Sequence, residues 1–212
     1  STPGRSPACS GRSPTIASFS NDTGTPGDHI TSDNTIELKG TAVAGSTVTL
    51  YDNGKQIGTT PANASGSWDY ITGVLTDATH ALTAKVTSGG QTSAASAAMN
   101  VTGATAAPNA PVVASDAVGN TSQVKASGTA AANSAITVYD GNNVVGTGAA
   151  DASGNWTITT SALSNGTHNL LAKATDAAGN VSAASQTFDE VIGGSTPPAT
   201  PKIVSFSNDS GK

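Results

Sequence analysis

Cysteine is almost missing from this chain: Cys9 is the one thiol in 212 residues. An intrachain disulfide framework is therefore excluded, which sets the chain apart from many small extracellular folds. Aromatic side chains make up only 4% and charged ones 11% of the sequence, against ordinary charged usage of about 25%. No apolar run approaches the roughly 18 residues that a membrane-spanning helix needs, and the first residues lack the pattern of a secretory leader. Positive charge is scarce too. Nine Lys and Arg face fourteen Asp and Glu, for a net charge of −5 and a pI near 4.9, which argues against nucleic acid and anionic membrane surfaces as partners. No Ser, His and Asp recur in a nucleophile context, and Cys9 has no flanking signature of a catalytic thiol, so the expectation is a protein that is not an enzyme.

What the chain does contain is repetition. Gly40 to Thr87 returns at Gly128 to Thr175 with about half of its positions identical and no gap, a period of about 88 residues. Ile16 to Gly24 (IASFSNDTG) is echoed by Ile203 to Gly211 (IVSFSNDSG), so a third copy begins before Lys212. A unit of this length is large enough to enclose its own small core, unlike solenoid repeats of about 20 to 45 residues. The division expected is a segment 1–13 that is either a natural linker or an appended stretch, a first domain at 14–104, a second at 105–192, and 193–212 as linker and first strand of a third unit. The segments STPGRSPACSGRS and GGSTPPAT have the Pro, Gly and Ser content of extended linkers.

Gly, Ala, Ser, Thr and Asn dominate, which by itself is compatible with low complexity. Against that stands alternation: STVTLY (Ser46 to Tyr51) and SAITVY (Ser134 to Tyr139) put β-branched residues at every second position, the period of a half-buried strand. Short strands at spacings of about 8 to 12 residues predict an all-β chain of tandem immunoglobulin-like sandwiches, seven strands each. In the first unit these fall at 15–20, 35–40, 46–52, 55–60, 67–72, 79–87 and 92–102. Asp52–Asn53–Gly54 and Asp140–Gly141–Asn142 read as hairpin turns, because these residues tolerate positive φ.

The few large side chains coincide between copies: Trp68 with Trp156, Tyr51 with Tyr139, Leu75 with Leu163, Leu82 with Leu170. Exposed Trp and Tyr can stack on sugar rings, but a domain this poor in aromatics needs nearly all of them in its core. Tyr70, matched by Ile158, follows the same logic. His80 and His168 coincide as well, opening the penultimate strand where immunoglobulin-like domains place a corner residue bonded back to nearby backbone. That corner role is favoured over metal or acid-base chemistry. His29 is unrepeated, lies in a polar loop and is expected in solvent.

The acids are uneven. Asp22, Asp28 and Asp33 fall within Ser20 to Asn34; Asp176 stands in TDAAGN, with Asp189 and Glu190 near the exit of the second unit; Asn208 and Asp209 open the third. Oxygen-rich loops of this kind suit Ca²⁺, which takes about 6 to 8 oxygen ligands. The competing reading is that Asp and Asn simply favour turns. If the last hairpin and exit of one unit face the opening loop of the next, Asp176, Asp189 and Asp209 converge at a junction and an ion there stiffens the string.

Several motifs together carry a resemblance that covers nearly the whole chain after Pro14. GTAxAxSxVTVYDG, ASGxWxxxTxxLxxGTHxLxAxATDAAGNxSAAS and GDxITxDN resemble the bacterial immunoglobulin-like modules repeated in large RTX and biofilm-associated surface adhesins of Gram-negative bacteria. The resemblance implies type I secretion in an unfolded state, folding by calcium outside the cell, and service as a rod holding a terminal binding domain away from the surface. Its calcium-associated acids map onto Asp28 and Asp33 in GDHITSDN and onto Asp176 with Asn180 in TDAAGN. The first unit departs from the pattern with TSGGQTS, where Ser88 replaces the Asp. The second unit lacks the GDxITxDN loop and keeps Asp116 alone. On that basis the junction between units one and two is expected to be poor in carboxylates and the more flexible one. An extracellular, cell-surface location follows from the resemblance and not from composition.

The leading expectation is thus a structural extender of an adhesin, with neighbouring repeats of the same chain as partners and any matrix or cell-surface ligand bound through other domains. The alternatives are a carbohydrate- or protein-binding module and an accessory module of an extracellular polysaccharide-degrading enzyme. The strand IVSFS is a further candidate, for completing a neighbouring chain's sheet edge.

Overall fold

The computed structural model describes residues 13–193; Cys9, Asp209 and the third-unit strand IVSFS lie outside them. Among the described residues there is no helix. The first unit comprises β1 (Thr15–Phe19), β2 (Ile30–Thr31), β3 (Glu37–Thr41), β4 (Thr47–Asp52), β5 (Lys55–Pro61), β6 (Ser67–Ile71), β7 (Thr79–Ser88), β8 (Gln91–Thr92) and β9 (Met99–Gly103). The second comprises β10 (Val112–Val118), β11 (Val124–Thr129), β12 (Ala135–Asp140), β13 (Asn143–Ala149), β14 (Asn155–Thr159), β15 (Gly166–Thr175) and β16 (Phe188–Ile192). In each unit a three-stranded sheet, β1-β3-β6 or β10-β11-β14, faces a larger one, β9-β7-β4-β5 or β16-β15-β12-β13. This is the all-β, tandem immunoglobulin-like sandwich read from the alternation, with seven principal strands per unit.

Alternation fills the cores. Along β4 and β12 the burial pattern is the same, with Val48 and Leu50 in one and Ile136 and Val138 in the other buried. The two cores are separate clusters: Ile36, Leu38, Val48, Leu50, Trp68, Leu82 and Val101 in unit one, and Val124, Ile136, Val138, Trp156, Ile158, Leu170 and Phe188 in unit two. Trp68 and Trp156 are each 3% exposed, which places them in the core and not on a sugar platform. Each indole lies against a bare glycine Cα. A Cβ on Gly40 would come 1.9 Å from the Thr15 carbonyl and 2.4 Å from Trp68 Cζ2, and one on Gly128 would come 1.9 Å from the Val112 carbonyl. Tyr70 packs against the first core with its hydroxyl donating to the Ile57 carbonyl at 2.7 Å.

Two local readings differ from the structure. The stretch 92–102 is not one strand: between β8 and β9 the chain leaves regular pairing. There Ser93 and Ser96 donate backbone N–H to the carbonyls of Val86 and Ala84, while their hydroxyls accept from the N–H groups of the same two residues. Ser182 and Ser185 do the same for Ala174 and Ala172. The SAAS motif therefore satisfies the edge of β7 or β15 through hydroxyl oxygens where a strand would use carbonyls. The second difference is β2, which pairs in parallel with β9 through Ile30↔Thr102 and Thr31↔Gly103. A two-residue strand inside a polar loop leaves no periodic trace in sequence.

Candidate functional site: the junction between the units

The opening loop of unit one, residues 20–34, hangs from the end of β1 and returns alongside β9. Its course needs left-handed backbone at Asn21, Gly24, Gly27 and His29, residue types that enter this region at low cost. Side chains hold the loop together from inside. Asn21 Nδ2 donates to Asp33 Oδ2 at 2.5 Å, Gly27 N to Asp22 Oδ2 at 2.6 Å, Ile30 N to Asp28 Oδ1 at 2.9 Å, and Thr31 Oγ1 to the Asn21 carbonyl at 2.5 Å. The Asn21 amide, followed by the Thr35 N–H, holds the Asp33 carboxyl below its ordinary range. His29 is exposed as expected, with its ring edge-on to Phe19 at 5.5 Å.

The last hairpin of unit two meets this loop. Asp176 braces that hairpin by accepting from Asn180 N and Asn180 Nδ2, both at 2.9 Å. Its tip, Ala177–Ala178–Gly179, presents carbonyls outward. Thr23 Oγ1 donates to the Ala178 carbonyl at 2.6 Å, Thr25 N to the Ala177 carbonyl at 3.3 Å, and Asn180 Nδ2 to the carbonyl of Ala104 at 2.7 Å. Ala178 is 1% exposed. The backbones touch where two glycines face each other. A Cβ on Gly24 would fall 2.0 Å from the Ala177 carbonyl oxygen, and one on Gly179 would fall 3.1 Å from Gly24 N.

This geometry corrects two expectations. The Asp176 hairpin points back to unit one, because in an antiparallel sandwich the last hairpin lies at the pole where the chain enters. Asp189 sits opposite Asn169, which donates to it at 2.6 Å, and the rest of β15 separates Asn169 from Asp176, about 23 Å at strand rise. Asp176 and Asp189 thus do not converge. Nor is the first junction poor in carboxylates, since it joins the loop carrying Asp22, Asp28 and Asp33 to the hairpin carrying Asp176 and Asn180. Among the described residues, no three His, Cys, Asp or Glu side chains gather into a group suited to a metal ion. One observation does bear on a hard cation: Asp22 Oδ1 is buried and has no hydrogen-bond partner, while its Oδ2 accepts from Gly27 N. The donor chemistry, oxygen throughout, suits Ca²⁺ in kind.

Two other polar sites lie away from the junction. His80 and His168 are buried corner residues, 5% and 9% exposed. Their Nε2 atoms face the carbonyls of Thr76 at 3.1 Å and Ser164 at 2.9 Å, and their Nδ1 atoms face Asp52 and Asp140 Oδ2, both at 2.7 Å. A carbonyl can only accept, so Nε2 is the donor to it in each ring. The Ser164 carbonyl and then Asp140 raise the His168 pKa above its ordinary 6.5. The carboxylate partners went unread in the sequence, although in both copies an Asp stands 28 residues before the His. The second site is Asp116 on β10, whose carboxyl meets Glu190 on β16. This hydrogen bond, with burial and the like charge of Asp116, pushes Glu190 up to about 7. Registers against β3 and β7 in one unit and β11 and β15 in the other make Phe19 and Val101 their counterparts.

A sequence model of the bacterial Ig-like domain matches residues 11–105 and again 105–191. The chain belongs to the bacterial Ig-like domain family and carries two tandem copies of that domain. None of the curated proteins matches it significantly. Among solved structures it is similar to the fibronectin(III)-like modules of Clostridium thermocellum CbhA, at 13% identity over 77% of this chain and 87% of that one, with a TM-score of 0.49. It is also similar to the BSP domain of a biofilm-associated protein, at 20% identity over 79% and 29% of the two chains, TM-score 0.33. A C-terminal fragment of intimin, solved with the intimin-binding domain of the translocated intimin receptor, gives 13% identity over 82% and 62%, TM-score 0.41.

Proposed function

We propose that the two units are an extender segment of a secreted bacterial surface adhesin, a spacer that sets the reach of a binding domain elsewhere in the protein and so serves adhesion or biofilm formation. The observation that carries this reading is the pole-to-pole contact between the loop at Gly24 and the hairpin at Gly179, which fixes one unit end-on to the next. Separate cores let each unit fold alone, and the near-total lack of cysteine suits a chain that passes a type I secretion channel unfolded. Calcium enters this proposal at the same loop. Asp22 Oδ1 would anchor the ion, with backbone carbonyls and water completing its oxygen shell because Asp28, Asp33 and Asp176 do not gather with it into a carboxylate cluster, and the ion would supply charge neutralisation and stiffness at the joint. Asp116 and Asp189, at the other end of unit two, are left out of this set.

Thermal melts with calcium and with chelator test the ion. Binding to the folded form alone at 100 times the dissociation constant adds about 2.7 kcal/mol, and Asp22→Ala removes that gain. Coincident melts remove calcium from the account and leave the spacer reading standing. A spacer also retains no ligand by itself. Retention of glycans or host proteins by the isolated chain would favour a binding module, against which stands the burial of Trp68 and Trp156.

A further inference from the structure

The two units share their corners, their tryptophans and most of their turns, and differ chiefly at two places. Unit one joins its first two long strands by the loop 20–34, where unit two has the tight turn Gly119–Gln123, closed on itself by Gly119 N donating to the Gln123 carbonyl at 2.7 Å. Unit two ends its penultimate strand in Asp176–Asn180, where unit one has Ser88–Gln91 with left-handed glycines at 89 and 90. These two differences are the surfaces that meet at the junction. The loop offers Thr23 Oγ1, Thr25 N and the bare backbone of Gly24. The hairpin offers two carbonyls, the bare backbone of Gly179 and the amide of Asn180, with Asp176 holding the tip in shape.

We propose that the loop 20–34 is a socket selective for a glycine-tipped Asp-x-Ala-Gly-Asn hairpin on the unit that follows it, so that a unit of the first kind locks onto a unit of the second kind and not onto its own kind. The Ser88–Gln91 hairpin is a residue shorter and has no carboxylate brace, and it puts the longer Gln91 where Asn180 carries the amide that reaches the Ala104 carbonyl. The turn Gly119–Gln123 has no counterpart of Thr23 or Gly24, so the far pole of unit two makes no such lock. Joint stiffness along a longer array is then set by which kind of unit follows which. This deepens the extender reading, while the selectivity of the joint holds whatever the rod carries.

The test uses the full chain and ¹⁵N relaxation, which reports the tumbling of each unit separately. The intact chain gives both units one common correlation time. Replacing Asp176–Asn180 by the Ser-Gly-Gly-Gln of unit one splits it into two shorter times, each approaching that of a body of half the mass, with the chemical shifts of both cores retained. Gly24→Ala, which drives a methyl into the Ala177 carbonyl, has the same effect, and Thr23→Ser, which keeps the hydroxyl donor, does not. Independent tumbling in the intact chain, or a common correlation time after the hairpin exchange, overturns the proposal. Neither result bears on whether the protein is displayed on a cell surface, which localisation of the native protein decides.

Discussion

At the level of single residues, His168 and Glu190 shape how unit two responds to pH. The Ser164 carbonyl and the Asp140 carboxylate hold the His168 pKa above the ordinary 6.5. Such a group contributes stability that is fully present below the unfolded value and is lost as pH rises through the folded one. Glu190, pushed up to about 7 from 4.5, also disfavours the alkaline side: the unfolded chain ionises it first, so stability declines from about pH 4.5 and levels off above about 7. Unit two therefore loses stability as pH rises from about 4.5. Differential scanning calorimetry across this range separates the groups. Glu190→Val, which installs the residue type of Val101, flattens the lower part of the slope, and His168→Gln flattens the upper part. A parallel fall in both variants contradicts the assignment. In the core, Trp156→Ala costs about 3–5 kcal/mol. Chemical denaturation followed by signals from each unit shows this loss in unit two while unit one keeps its midpoint, because the cores share no residue.

Among elements, the strands with strict alternation were legible and those held by side chains were not. The β4 and β12 runs announce themselves through Val48, Leu50, Ile136 and Val138, and the buried matching of Trp68 with Trp156 follows from scarcity of apolar area. The SAAS segments read as strand because their small residues carry no contrary signal, yet their edge is satisfied by Ser hydroxyls. Ser182→Ala leaves the buried Ala174 N–H without that acceptor, at a cost of about 1–3 kcal/mol, and speeds amide exchange at Ala174 more than at Val138. Unchanged exchange there would show that the hydroxyl is dispensable. The socket loop was legible as an acidic, glycine-containing stretch, but not in its direction. Which pole a hairpin occupies depends on strand polarity within the whole sandwich, and no local pattern at Asp176 or Asp28 encodes that.

For the whole molecule, the family and the fold were open to reading because repetition at about 88 residues fixes the size of each unit and the motifs recur within it. The arrangement of the joint was not, since Thr23, Gly24 and Ala178 are ordinary loop residues whose role exists only between units. Length is the property the account assigns to this pair. Strands of ten residues, as in β7 and β15, span about 34 Å at strand rise. Two units docked pole to pole therefore place their outer ends about 70 Å apart. The most direct measurement is a pulsed dipolar distance between spin labels at Gly90 and Asn120, on the outer poles, with Cys9 replaced by serine. The account predicts one narrow distribution near that separation; a broad distribution, or one centred on a side-by-side distance of a single strand length, would contradict it.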